Sequence, residues 1–581
     1  MKKFKFKFET LSLIGLLLFS SCSDILNVTP ATEDKTITEN ITVNTTWESS
    51  NTYIVDGNIS VEGATLTIEP GAVIKFKENS ELDVGYSSSG SSLIANGTSD
   101  NPITFTSIAD NPSAGDWDYI YFGDGSVNSS MSYCNISYGG GYNAYSGMIQ
   151  MDDCHVSIDH CDIQHSANYG IVLESKAYFT SFTNNNFSDI SNHPIKLDAN
   201  SAHTLGTDNT YVTGSLTKGI LVKGGTFNKV DETWLKQSVP YVIDGTVSIQ
   251  NTSGAKLNIE AGTTISFTKG SQIEVGYSSN TYGTLIANGT SSEPITFTSA
   301  SPEKTAGDWD AIFLESGTSS STSFTNCVFE YGGGYNAYTG IINLANANIN
   351  FNHCIVRHSE TYGISCDDKS YFGSFDYNTF EDCASYPITI YGNWANTIGA
   401  NNIFSTTLGP RIHGDNLEQS GSVTWNKLNK PYYIDGTLNI ESTSGTTLNI
   451  EQGTQINFTQ GSQIEVGYSS NSYGSIKAQG TASEPIIFTS GAPSPSKGDW
   501  DGIFFEDGTM SGTILDFCEI SYAGGYNSYS GNVTFNNSLT NVTISNSTIS
   551  HSAAYGLYID DRSTPLLLNI TYLDNTKGDT N

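Results

Sequence analysis

The segment YIVDG at Tyr53 returns as YVIDG at Tyr241 and again as YYIDG at Tyr433. It does not return alone. DVGYSS around Gly85 matches EVGYSS around Gly276 and Gly467, and GDWD recurs at Trp117, Trp309 and Trp500. YGGGYNAYSG at Tyr138 is matched by YGGGYNAYTG at Tyr331 and YAGGYNSYSG at Tyr522. HSANYG, HSETYG and HSAAYG begin at His165, His358 and His551. Equivalent landmarks lie roughly 190 residues apart, a self-similarity that marks an array of like units.

Inside each unit, short runs of period two follow one another closely. The second unit reads VSIQN, KLNIEAG, TISFTKG, QIEVG, TLIANG and PITFTS. Alternation of this kind is the signature of half-buried strands. The 57 Gly, together with abundant Asn, Ser and Thr, supply the turns between them. Two packings fit: a β-sandwich repeated three times, or coils stacked by parallel pairing. The solenoid is favoured because the strands are very short and the turns are Gly-Thr, Gly-Ser or Asn-Gly. Like rows also recur one coil apart, as Cys134-Asn135-Ile136 does before Cys161-Asp162-Ile163 and Cys327-Val328-Phe329 before Cys354-Ile355-Val356. Stacked coils place such residues about 4.8 Å apart on one continuous core. At this pitch roughly 22 coils make a rod on the order of 100 Å long. Such a rod would give each unit the same lateral face.

TLTIEPGAVIKF, LIANGTSDNPITFTS, GDWDYIYF and SANYGIVLES resemble the right-handed parallel β-helix proteins of the pectin-lyase-like superfamily, from Trp47 onward. The resemblance implies an all-β, right-handed parallel β-helix (β-solenoid) in three tandem repeats. Its bearing on function is weaker, because that fold carries lyases, hydrolases, adhesins and structural fibres. The hydrolase segments Asn-Thr-Asp and Gly-His-Gly do not occur, and Ile412-His413-Gly414 is a partial echo. Uronate lyases need a basic residue beside a calcium-bound acid, for which Arg411 is the candidate.

The N-terminus reads MKKFKFKFETLSLIGLLLFSSC. Four lysines, a short apolar run and small residues make a signal peptide, too short to span a membrane. FSSC resembles a lipobox, with Cys22 as the lipidated residue, and implies an outer-membrane or cell-surface location. The expected organisation is 1–21 lipoprotein signal peptide, 22–46 tether, and repeats over 47–233, 234–424 and 425–581, the third incomplete.

The formal net charge is −34. That field repels nucleic acid, and polyanionic glycans too unless cations bridge them. The paired carboxylates Asp116/Asp118, Asp308/Asp310 and Asp499/Asp501 of the GDWD loops could hold Ca²⁺ through oxygen ligands. The alternative is that one Asp caps the turn while Trp covers the coil. The cysteine rows read as a space-filling ladder or as disulfides. The most distinctive elements are the Tyr loops, with Tyr138, Tyr142 and Tyr145, then Tyr331, Tyr335 and Tyr338, then Tyr522, Tyr526 and Tyr529. Tyr pairs an apolar face with a polar tip, which suits sugar stacking, although the rings could instead shield the core. Threefold repetition suits multivalent binding more than a single active site. The leading expectation is therefore a lipid-anchored surface rod for glycan binding or adhesion, with a glycan or another surface protein as partner. The rivals are a polysaccharide lyase or hydrolase and a plain spacer.

Overall fold

The computed structural model describes residues 33–212, 218–277, 280–468, 471–538 and 542–581. The signal segment and Cys22 lie outside the described residues.

The chain is a parallel β-solenoid of roughly 21 coils. The alternation that predicted strands decides which side chains enter the core. In Thr65–Ile68, Leu66 and Ile68 point inward and the threonines outward, and in Val73–Phe76 the same holds for Ile74 and Phe76. Each strand pairs with the strand one coil later, so Thr67 lies against Ile94 and Ile94 against Ser130. Two isolated bridges, Asn251↔Tyr282 and Ser442↔Tyr473, are antiparallel among the described residues. One apolar cluster runs without a break from Ile41 to Leu557.

Each coil turns past three sides. In the first repeat, side I carries strands such as Cys134–Ser137, side II Gly147–Asp152, and side III His155–Asp159. A polar ladder lies at the bend into side I. Cys161 N–H donates to Asn185 Oδ1 (2.9 Å), and Asn185 Nδ2 donates to Asn209 Oδ1 (3.2 Å). Cys354, Asn378 and Asn402 repeat it. The eight described cysteines are free thiols. Cys134, Cys327 and Cys518 donate to the carbonyls of Ala95, Ala287 and Ala478 at 3.2, 3.0 and 3.4 Å. Ser547, where the earlier repeats have Cys161 and Cys354, accepts from Cys518 N–H at 3.0 Å, so the position is held by small hydrogen-bonding groups.

Two sequence expectations change. First, the solenoid begins inside the segment assigned to the tether. Glu33–Ile37 pairs in parallel with Asn51–Val55, and Ile41 is buried. An open strand edge leaves a row of unpaired backbone groups, and 33–37 satisfies it. The solenoid also runs on across the repeat boundaries. Ile220–Phe227 pairs with Tyr241–Ile249 across 233/234, and Arg411–His413 pairs with Tyr432–Asp435 across 424/425.

Second, the repeats do not share one lateral face. Following side II upward, Gln150 lies on Val172, then Lys196, Leu221, Val242, Ser266 and Thr298. Gln150 belongs to the strand after the first Tyr loop. Thr298 belongs to ITFTS, whose first-repeat counterpart, Ile103–Ser107, is on side I. The second repeat has therefore moved round by one side. The second junction repeats the step: Thr389 lies on Arg411, Tyr433 and Asn457. From Asn51–Val55 to Tyr241–Ile249 the chain completes about seven and one third turns, counting the 3₁₀ segment Ala199–Thr204 as one side of its coil. A period that is not a whole number of turns rotates every copy relative to the last.

Candidate functional site

The Tyr loop leaves a strand at an inward bend. Tyr138, Tyr331 and Tyr522 adopt φ of 68°, 64° and 67°, and the next residue is glycine in the first two loops (Gly139, Gly332) and the buried Ala523 in the third. A Cβ on Gly139 would lie 2.8 Å from the Trp117 ring, and one on Gly332 2.7 Å from Trp309, so in these two loops a larger residue would require the ring to shift, whereas the third loop accommodates the methyl of Ala523. The tryptophans themselves are fully buried. Trp117 stacks on Phe76 and donates to Ser137 O, with equivalent stacks of Trp309 on Phe267 and Trp500 on Phe458.

The three tyrosines of each loop divide into two classes. The first packs down: Tyr138 on His165, Tyr331 on His358 and Tyr522 on His551, each half-buried. The other two stand out, from 55% exposed at Tyr335 to 82% at Tyr338. Asn143, Asn336 and Asn527 fix their spacing, each accepting from the N–H of the last Tyr at 2.7–2.8 Å.

Each exposed ring pair overlooks the strand that follows the loop, and that strand's side carries further aromatics. Tyr142 packs edge-on against Tyr119 (5.3 Å), Tyr335 against Phe313 (5.2 Å) and Tyr526 against Phe504 (5.4 Å). In the first repeat Tyr121 adds to the floor, and Tyr86, 68% exposed, meets it edge-on from the opposite corner at 5.7 Å. Tyr277 and Tyr468 occupy the matching corner in the later repeats and are likewise exposed. The result is a shallow trough with tyrosines at both rims. In the first repeat a pocket of about 220 Å³ is lined by Tyr119, Tyr121, Tyr142, Tyr145, Gln150 and Glu174.

Sequence reasoning missed Tyr86, Tyr277, Tyr468, Tyr119, Tyr121, Phe313 and Phe504. The first three sit in the repeated GYSS string, a signal as regular as the Tyr loop. The others lie in or directly beside the strands Ile120–Phe122, Ile312–Leu314 and Gly502–Phe505, and only stacking of coils brings them beneath the loop.

The GDWD carboxylates divide in the same way. Asp116 accepts from Ser107 Oγ and Ser113 N–H at 2.7 and 3.0 Å, and Asp308 and Asp499 make the same turn-closing bonds. Their partners Asp118, Asp310 and Asp501 are pushed above the usual carboxylate range by burial. Each pair thus contains a turn cap and a second acid that is partly or fully buried. Among the described residues no group of three or more His, Cys, Asp or Glu side chains is arranged to hold a metal ion.

Arg411 lies at the second repeat junction. Its guanidinium pairs with the Asp435 carboxylate, donates to Tyr362 Oη at 3.2 Å and sits over Tyr386 at 5.5 Å. Burial pulls its acidity one way, but Asp435 outweighs it and holds the guanidinium protonated. His413 beside it shares a 2.7 Å hydrogen bond with Thr389 Oγ1, and burial, then the Arg411 charge, lower its pKa from the usual histidine value. The basic group is thus internally neutralised.

A family model described as a pectate-lyase-like β-helix domain matches residues 37–156, 225–343 and 417–549. These segments cover more than half of the chain. The chain belongs to the pectate-lyase-like β-helix family. Each matched segment of this family member contains one GYSS corner, one GDWD turn and one Tyr loop. The intervening stretches contain the Asn ladders and the coils where one repeat passes to the next. A search of curated proteins finds no match to the chain.

Proposed function

We propose that this protein is an exported, lipid-anchored surface solenoid that binds neutral polysaccharide through its tyrosine-rimmed troughs. The observation that carries this reading is the pairing of exposed tyrosines with an aromatic floor on a stiff frame, as at Tyr142, Tyr145 and Tyr119. Exposed rings on a soluble surface are costly unless used, and their flat faces stack on the apolar faces of sugar rings while the hydroxyls reach sugar oxygens. The acidic field, −34 overall, favours uncharged over polyanionic glycans. The signal segment and Cys22 support placement at the cell surface.

The test is affinity electrophoresis of the full chain in hydroxyethylcellulose, xyloglucan, galactomannan and laminarin, with polygalacturonate as the charged control. Retardation is expected in at least one neutral gel and not in polygalacturonate. Retardation that persists after Tyr142, Tyr145, Tyr335, Tyr338, Tyr526 and Tyr529 are all changed to Ala would end the proposal. The lyase reading draws support from the family match and from Arg411, whose guanidinium is held in an ion pair with Asp435.

A further inference from the structure

The three troughs face three different directions. The first Tyr loop joins Cys134–Ser137 on side I to Gly147–Asp152 on side II, so its trough lies on side II. The second joins Cys327–Glu330 to Gly340–Leu344. Cys327–Glu330 lies in the side II row, because Glu330 falls under Arg357 in the same ladder that holds Thr298 and Val242. Its trough is therefore on side III. Asn228 N–H bonded to Asn200 Oδ1 seats the base of that row on the 3₁₀ segment that closes side III of the first repeat. The third loop joins Cys518–Ser521, on side III through Asn457 and Thr489, to Gly531–Phe535 on side I. Successive troughs thus stand about 35 Å apart along the axis and one side apart around it.

We infer, resting on the glycan reading above, that one molecule engages three separate polymer strands and acts as a cross-linking node, not as a rail along a single strand. A stiff glycan strand lying in the side II trough runs past the second trough on the wrong side of a corner. To enter it, the strand would have to bend round the solenoid within those few coils. Had the repeat closed on a whole number of turns, the same loops would line up on one face and favour one strand. The third-turn offset instead distributes the troughs evenly around the rod, which is the geometry of a network junction.

The experiment compares the full chain with three single-trough variants, each carrying Tyr→Ala changes at the two exposed tyrosines of the other two loops. Tyr335, Tyr338, Tyr526 and Tyr529, for example, are changed to leave the first trough. The probe is whichever of the four neutral glycans retards the full chain most. It is used as long chains below their overlap concentration and as a coating on beads. The full chain is expected to agglutinate coated beads, while each single-trough variant binds them without agglutination. Affinity for isolated long chains is expected to differ by about threefold, the ratio of site numbers. A gain of about 100-fold or more, the mark of linked sites on one strand, would overturn the inference and leave glycan binding standing. Binding by the full chain without bead bridging would overturn it as well. Failure of the full chain to bind any of the four glycans removes the glycan reading, and the node with it.

Discussion

Tyr138 lies flat on His165 of the next coil, ring centroids 4.8 Å apart and planes 9° from parallel. Tyr145, seven positions along in the same loop, is 75% exposed. The loop thus has a structural foot and a projecting edge, and the two should respond differently to the same change.

Tyr138→Ala is expected to lower stability by about 1–2 kcal/mol, from the lost stack and buried ring area. Tyr145→Ala should change stability by less than about 0.5 kcal/mol, as exposed substitutions do, yet weaken glycan retention. Urea melts beside affinity electrophoresis separate the two effects.

Trp117→Ala removes a fully buried ring stacked on Phe76 at 4.2 Å and the donor to Ser137 O. A loss of about 3–5 kcal/mol is expected. Trp117→Phe should keep most of the stack and forfeit mainly the hydrogen bond, about 1 kcal/mol. Because coils contact only their neighbours, hydrogen exchange should report the loss locally around the first repeat.

Gly85, at φ +73°, passes so close to the next coil that an added Cβ would sit 2.3 Å from Ser126 N. Gly276 and Gly467 meet the same obstacle, at 2.2 Å. Alanine at any of the three is expected to cost about 3 kcal/mol or more, since backbone and not a movable side chain is in the way. By contrast, Gly90→Ala, where nothing lies within 4 Å, should be close to the roughly 1 kcal/mol left-handed backbone cost alone. Thermal melts of the four variants test the order.

Asp83 is pushed up to about 7 by burial and then by Glu81, and Glu465 to about 7 by burial and then by Glu506 and Glu441. Both acids hold protons in the folded state that the unfolded chain releases near pH 4. The folded state gains from this below about pH 4, and the gain is lost as pH climbs to about 7. The half-buried His193, His203 and His413, whose pKa values burial lowers, act in the opposite direction over the same range, so the test is the difference between variants: from pH 5 to pH 8 the melting temperature of Asp83→Asn should fall less, or rise more, than that of the parent chain. An identical pH dependence in the two proteins would contradict this.

Arg411→Ala leaves the Asp435 carboxylate without its main partner in a half-buried position. A loss of about 1–3 kcal/mol is expected, with Arg411→Lys recovering part of it. Urea melts provide the measurement.

How a residue behaves within its coil was legible from order alone. TLTI and VIKF alternate, so Leu66, Ile68, Ile74 and Phe76 had to face a core, and the turn-rich gaps between such runs had to be corners. The recurrence of Cys134 as Cys161 one coil later announced stacking. Asp116 shows the limit: its residue type fits calcium or a turn cap, and only the folded chain brings Ser107 and Ser113 within hydrogen-bond reach of it.

The direction each copy faces could not be read from the chain. Corner loops absorb insertions without adding a side, so residue spacing does not count turns. Whether a repeat closes on a whole number of coils depends on how many segments pair, including the 3₁₀ turns Ala199–Thr204 and Gly392–Thr397, which fill a side without being strands. The sequence by itself determined a stacked, inward-alternating solenoid with three like loops. The tertiary structure decided that those loops lie on three different corners, because the parallel register of Lys196 on Leu221 and Val242, set by hydrogen bonds between distant segments, passes one repeat's side to the next repeat's neighbouring side.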